Sequence, residues 1–388
     1  MSWRNVTIKE ICKIKSGKRL PKGKSFSSEE TDFPYIRARD IKAGKINSEN
    51  LVYLDEVTQK KLSQYIVNKN DIVITVVGAS VGDVGYVSED LDGYNLTENA
   101  VRLTEFDESV NSLYLLYLLN SQTYWEIMQS IAGGSAQPKL GIYKVESIPL
   151  ELPTLDVQNS IVKSISSYDN LIENNQKQIK LLEESAQRLY KEWFIDLRFP
   201  GHENVENVDG APEGWSYKAL KEVSILKAGG DKPRKFSKTL DREHFIPVYS
   251  NGTVDDGLYG YTDSAEIIDD SITISARGSV GYTCIRREPY VPIVRLISII
   301  PRTIDVIYLF LYLKNKSFDS NGAAQQQLTI PMVRDFKVLI PSKEVLILFL
   351  EVMNPIFDKI DILKQQLMGL TEARDRLLPK LMRGEIEV

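Results

Sequence analysis

At 388 residues, with 43 % hydrophobic and 26 % charged side chains, the chain has the composition of an ordinary folded protein of two or more domains. Two distant cysteines, Cys12 and Cys284, exclude a disulfide framework and fit a reducing, cytoplasmic setting. The start, MSWRNVTIKEICKIKSG, lacks the apolar core of a signal peptide, and the most apolar run, residues 345–353, is too short for a membrane span.

The net charge of −5 is unevenly spread. Up to residue 45 there are twelve basic residues against five acidic ones; over residues 46–150 there are six against fourteen. The first basic segment holds Lys13, Lys15, Lys18, Arg19, Lys22 and Lys24. Lysine and arginine in a loop with serine and glycine suit phosphate neutralisation, although one such loop alone reads more simply as a solvated surface. Residues 17–25 resemble a phosphate-binding loop, but five residues separate the glycines where four are needed. Arg37 and Arg39 follow in FPYIRARDI as candidate base readers, because arginine matches guanine as asparagine and glutamine match adenine.

A β-rich run at residues 71–77 leads into Gly78, Gly82 and Gly85, which read as tight turns. An apolar helix at residues 113–121 precedes two further candidate DNA contacts, Gln137 and Lys139. Then Val157, Ile161, Ile165, Tyr168, Ile172, Asn175, Ile179, Leu182, Ala186, Leu189 and Trp193 step by four or three, the narrow seam of a coiled-coil helix. Residues 196–215, rich in Pro, Gly and Asn and without apolar period, read as a linker.

After the linker the chain repeats itself. WRNVTIKEICKIKSG (3–17) is matched by WSYKALKEVSILKAG (215–229), and DIVITVVGASVG (71–82) by DSITISARGSVG (270–281). GGSAQPKLGIYKVESIPLELP (133–153) falls on NGAAQQQLTIPMVRDFKVLIP (321–341) at a shift of 188. The second basic stretch carries Lys227, Lys232, Arg234, Lys235, Lys238 and Arg242, and its recurrence favours phosphate contact over a solvated loop. Ser250, Asn251, Arg277, Gln325 and Gln327 are the second copy's candidate DNA contacts. At the same shift, Val345, Phe349, Met353, Ile356, Ile360, Leu363, Leu367, Leu370, Arg374, Leu377 and Leu381 repeat the seam. Asn354-Pro355 suggests a break and restart in this second helix.

The expected fold is therefore a mixed α/β (α+β) tandem repeat: two globular domains separated by a long antiparallel two-helix coiled coil. Each helix of roughly 40 residues would reach about 60 Å at ~1.5 Å per residue. The boundaries read as domain 1 at 1–152, helix 1 at 153–197, linker at 198–214, domain 2 at 215–341 and helix 2 at 342–388. Asn175 and Arg374, polar members of the seam, are placed to fix its register.

The junction RLYKEWFIDLRFPG (188–201) with APEGW (211–215), the ending RDRLLPKLMRGEIEV (374–388) and the proline-led helix entries after Pro153 and Pro341 resemble the specificity subunits of Type I restriction–modification systems. Gln158, near the first helix start, fits that pattern; its counterpart is Leu346. The resemblance implies two target recognition domains, each reading half of a bipartite site in double-stranded DNA. It implies that the helices space the halves and dock two methyltransferase (modification) subunits, which methylate adenine N6 with S-adenosylmethionine. Two restriction motor-nuclease subunits using ATP and Mg would join for cleavage. The chain itself is expected to hold no cofactor, metal or catalytic residue. Its two histidines and two distant cysteines supply no metal cluster, and no Glu-x-Lys of a nuclease core occurs. Asn354-Pro-Ile-Phe357 differs by one residue from the Asn-Pro-Pro-Phe loop of adenine methyltransferases but lies inside the helical seam. The competing readings are a protein–protein scaffold without base readout and a degenerate nuclease or methyltransferase.

Overall fold

A computed structural model describes residues 3–133, 138–208, 210–316, 318 and 327–387. The chain divides into two units, Met1–Glu173 with Met368–Val388, and Asn174–Leu367. Two of the candidate contacts, Gln137 and Gln325, lie outside the described residues.

Unit 1 is built on a four-stranded antiparallel sheet in the order Lys13–Ser16, Ala100–Thr104, Ile72–Thr75, Val84–Tyr86. The central strands read IVIT and AVRLT and are buried throughout, as strands covered on both faces must be. The helix Ser112–Leu119 has six consecutive buried residues, Tyr114 to Leu119, and packs into the same core. Asn111 caps it by accepting hydrogen bonds from the Leu113 and Tyr114 amides. A ribbon of Arg4–Thr7 with Pro149–Leu152 closes the unit just before its long helix.

Unit 2 repeats this plan. Its sheet runs Ser224–Ala228, Ile297–Pro301, Ser271–Ile274, Thr283–Arg286, its capped apolar helix is Val306–Lys314, and its closing ribbon pairs Ser216–Ala219 with Lys337–Ile340. Strand pairing corrects the ungapped match of residues 71–82 to 270–281. Val73 faces Arg102 and Thr273 faces Ser298, so the strands correspond at a shift of 200. Ile74 faces Val84 whereas Ile274 faces Thr283, so the turn between them is one residue shorter in unit 2.

The long helices are Leu155–Tyr190 and Lys343–Met382. Within unit 2 they run antiparallel: Asn175 donates to Gln366 at 3.4 Å, while Trp193 packs on Phe349 with ring centroids 5.6 Å apart. Within unit 1, Ile161 and Ile165 share a core with Leu381 and Met382. None of the seam candidates Ile165, Ile172, Asn175, Ile179, Leu182, Leu189, Ile360, Leu363, Leu367, Leu370 and Leu377 is exposed. Both polar seam members are partnered, Asn175 by Gln366 and Arg374 by Asp169 at 3.0 Å.

Three expectations are corrected. The second helix does not break at Asn354-Pro355 but continues through it. A proline there costs about 3 kcal/mol, and burial of Phe349, Met353, Phe357 and Ile360 in one core offsets it. Phe357, not Ile356, takes the deep seam position. The segment after the first helix is no loose linker either. A single π-helical turn, Lys191–Ile195, adds a residue to the helix turn. Tyr190, Trp193 and Phe194 are all buried there, and Phe199, Ala211 and Trp215 pack against them.

Candidate nucleic-acid interface

The basic loop of unit 1 leaves the sheet at Gly17, where a Cβ would lie 2.0 Å from the Thr97 carbonyl oxygen. Only glycine lets the chain pass this close, and the Lys18 amide then donates to Leu96 O at 2.9 Å. Unit 2 uses the same device. A Cβ on Gly229 would meet Ile293 N at 2.7 Å, and the Gly229 amide donates to Leu296 O at 2.8 Å.

The lysines of the first cluster separate on folding. Lys13 and Lys15 both bind Glu105, and their hydrogen bonds hold its carboxyl down at about 2. Arg19 faces Glu98 at 3.2 Å and Lys24 faces Asp55 at 3.5 Å. Lys18 and Lys22 are exposed and form no salt bridge among the described residues, with Lys18 5.7 Å from the Tyr65 ring centroid. Around an open groove beside this loop the fold brings together Arg19, Arg37 and Arg39 with Thr97, Glu98 and Asn99. Arg37 is committed: its guanidinium makes two 2.8 Å bonds to the Asp40 carboxylate and a third to Asn50 O. Arg39 is exposed and free of salt bridges among the described residues, which leaves its planar fork available. Lys139 is exposed and bridges to Val77 at the edge of the Gly78 turn.

In unit 2, Lys232 lies 4.6 Å from the Phe236 ring centroid and Lys238 lies 3.7 Å from that of Tyr259. The two rings pack 5.5 Å apart, forming an aromatic platform that holds two ammonium groups at the surface. Residue spacing had not revealed it; the signal available was an aromatic interleaved with lysines at Phe236. Lys235 is paired with Asp263 at 2.7 Å, and Arg234 is exposed.

The other unit 2 candidates cluster in adjoining turns. Asn251 donates from Nδ2 to Val294 O at 2.8 Å and accepts from the Ala276 amide at 2.7 Å. It therefore ties three turns together rather than offering a free amide. The Ser250 amide donates to Gly257 O at 2.8 Å and closes the loop on which Asn251 sits. Arg277 donates to Gln327 Oε1 at 3.3 Å, so these two candidates meet.

Neither cysteine is suited to nucleophilic work, because burial pushes the Cys12 thiol up to about 12 and the Cys284 thiol up to about 11. Among the described residues no group of three or more His, Cys, Asp or Glu side chains is placed to hold a metal ion. Among the described residues no helix is long and apolar enough to cross a membrane.

The geometry is thus of two similar units, each with an exposed basic loop beside a cluster of polar turns. Known proteins are similar to this chain in sequence and in fold. The chain is 27 % identical over 335 residues to a putative type I specificity subunit of Mycoplasma pneumoniae, covering 85 % of this chain and 82 % of the relative. It is 29 % identical over 245 residues to the MjaIX specificity subunit of Methanocaldococcus jannaschii, covering 60 % of this chain and 54 % of that one. The crystal structure of a Type I restriction–modification S subunit from M. genitalium superimposes with a TM-score of 0.62 at 21 % identity, over 98 % of this chain and 96 % of the other, a likeness of fold. The family model of the Type I restriction modification DNA specificity domain matches residues 1–184 and again residues 212–372, so the chain belongs to that family and carries the domain twice.

Proposed function

We propose that this chain is the sequence-recognition subunit of a Type I restriction–modification complex, non-catalytic itself, with each unit reading one half of a bipartite target in double-stranded DNA. The observation that carries this reading is the repetition, in two units of one fold, of an exposed basic loop beside a cluster of polar turns. Residues 1–152 and 215–341 serve as the recognition domains and residues 153–197 and 342–388 as spacer helices, joined through residues 198–214. The helices dock two methyltransferase subunits, which bring S-adenosylmethionine and methylate adenine N6; motor-nuclease subunits bring ATP and Mg.

Within each unit the exposed cations Lys18, Lys22, Lys232, Arg234 and Lys238 neutralise phosphates, while Arg39, Arg277, Gln327 and Lys139 face base edges. Asn251 and Arg37 hold these surfaces in shape. The test is to assemble the chain with its methyltransferase subunits and map methylation over a random DNA library. A bipartite consensus with a fixed spacer is expected, and methylation without a consensus refutes the reading. Replacing Lys18, Arg19, Lys22 and Lys24 by alanine should weaken DNA binding and flatten its salt dependence by about one unit of slope per lost phosphate contact. An unchanged slope would favour a protein–protein scaffold.

A further inference from the structure

The loop that leaves the strand Ile246–Tyr249 carries Ser250 and Asn251 and ends at Gly257. It is strained: Asp255 and Asp256 are consecutive non-glycine residues with φ of 48° and 53°. Left-handed backbone at two consecutive non-glycine residues is unfavourable and persists only where the surroundings enforce it. The loop tip is also bare, with Val254 78 % exposed.

The side chains that hold Asp256 come from outside the loop. The Asp256 carboxylate accepts from Tyr282 Oη at 2.8 Å on one oxygen and from Lys364 Nζ at 3.1 Å on the other. Its backbone carbonyl accepts from the Arg286 guanidinium, which itself lies 3.5 Å from the Tyr249 ring centroid. Lys364 belongs to the second long helix, not to the globular part of the unit. Other ion pairs also reach this helix pair, from Arg287 to Asp358 and Asp361 and from Lys314 to Glu183. Those pairs anchor a strand end and a helix end, whereas Lys364 grips the strained loop itself.

Unit 1 solves the same problem internally. The loop after its equivalent strand, Pro34–Ile36, is braced by Arg37 on Asp40 within four residues, and neither partner is on a long helix. Unit 1 is therefore a built-in control.

We propose that Lys364 is a positioning residue for recognition by unit 2: by holding Asp256 it fixes the pose in which the Gly252–Val254 tip and the neighbouring Arg277 turn meet their half-site. This deepens the proposed function and rests on it. A residue of the spacer helix, itself away from the bases, thereby sets the fidelity of one half of the target and leaves the other half alone.

The experiment uses the full chain assembled with its methyltransferase subunits, on duplexes carrying the mapped target with single base-pair changes in either half. Lys364→Met keeps the side-chain length and removes the charge. It is expected to lower discrimination against altered bases about tenfold in one half, with the other half within twofold of wild type. Lys364→Arg, which can still reach the carboxylate, is expected to restore discrimination to within threefold. Discrimination unchanged in both halves, or reduced equally in both, overturns the proposal. If Lys364→Met fails to assemble, Asp256→Asn decides by the same one-sided criterion. A wild-type complex without any bipartite target would instead defeat the functional reading itself.

Discussion

At one equivalent place in their sheets the two units use different chemistry. In unit 1, Arg102 and Asp71 form a salt bridge of 3.0 Å with side chains 7 % and 4 % exposed, and the Asn68 amide also donates to Asp71. Strand pairing places Ser298 at the Arg102 position of unit 2, since Val73 faces Arg102 as Thr273 faces Ser298, and Ser271, 200 residues on, at the Asp71 position. The two serines are joined through Tyr290, whose hydroxyl lies 3.0 Å from each. A buried charge pair and a neutral hydrogen-bonded chain thus satisfy the same sheet. The reading loops differ in the same spirit, one braced by its own Arg37–Asp40 pair and the other by a distant helix. A shared backbone plan leaves the polar solutions inside it free to diverge, provided each buried charge keeps a partner.

The sharpest way to break this comparison is Arg102→Met. It strands the Asp71 carboxylate in the core and should destabilise unit 1 by about 3–5 kcal/mol. Hydrogen exchange resolved by unit should show lost protection in the strands Ile72–Thr75 and Ala100–Thr104, with those of unit 2 unaffected. Next comes Gln158→Leu, which installs the residue the second copy carries at Leu346. Gln158 is fully buried, accepts from the Asn111 amide at 2.9 Å and donates to Pro153 O at 2.9 Å and Ser109 O at 3.1 Å. Its loss should cost about 1–3 kcal/mol because those backbone groups lose their partner. Denaturant midpoints of the variant and wild-type chains measure this. Tyr290→Phe should cost less, about 1–2 kcal/mol for two neutral hydrogen bonds, and should appear as exchange in unit 2 alone.

The smallest effect is expected from Lys232→Ala with Lys238→Ala. Stability should stay within ~0.5 kcal/mol because both side chains are at the surface. The salt slope of DNA binding by the assembled complex should fall by about 1–2, as for lost phosphate contacts. A slope equal to wild type would remove the Phe236–Tyr259 platform from the interface.

Much of the architecture was legible before any coordinates. The 188-residue shift located the second copy, and the four-and-three spacing located both long helices, because helical burial imposes a period that survives divergence. The basic loops were visible as composition. Their internal division was not: Lys13 and Lys15 look like Lys18 and Lys22 in sequence, yet Glu105, some ninety residues on, occupies the first two. Arg37 and Asn251 were attractive base readers by residue type alone. Their donors and acceptors turn out to hold the protein together, a fact that depends on partners brought near only by folding.

By itself, then, the sequence determined the tandem plan, the helical seam and the position of each basic loop, since these follow from local period and composition. Tertiary structure alone decided that the helix runs through Pro355, that the connector packs around Trp215, and that Lys364 reaches Asp256. Each of these outcomes depends on burial energy or ion pairing between residues far apart in the chain, and no local pattern encodes which distant partner will arrive.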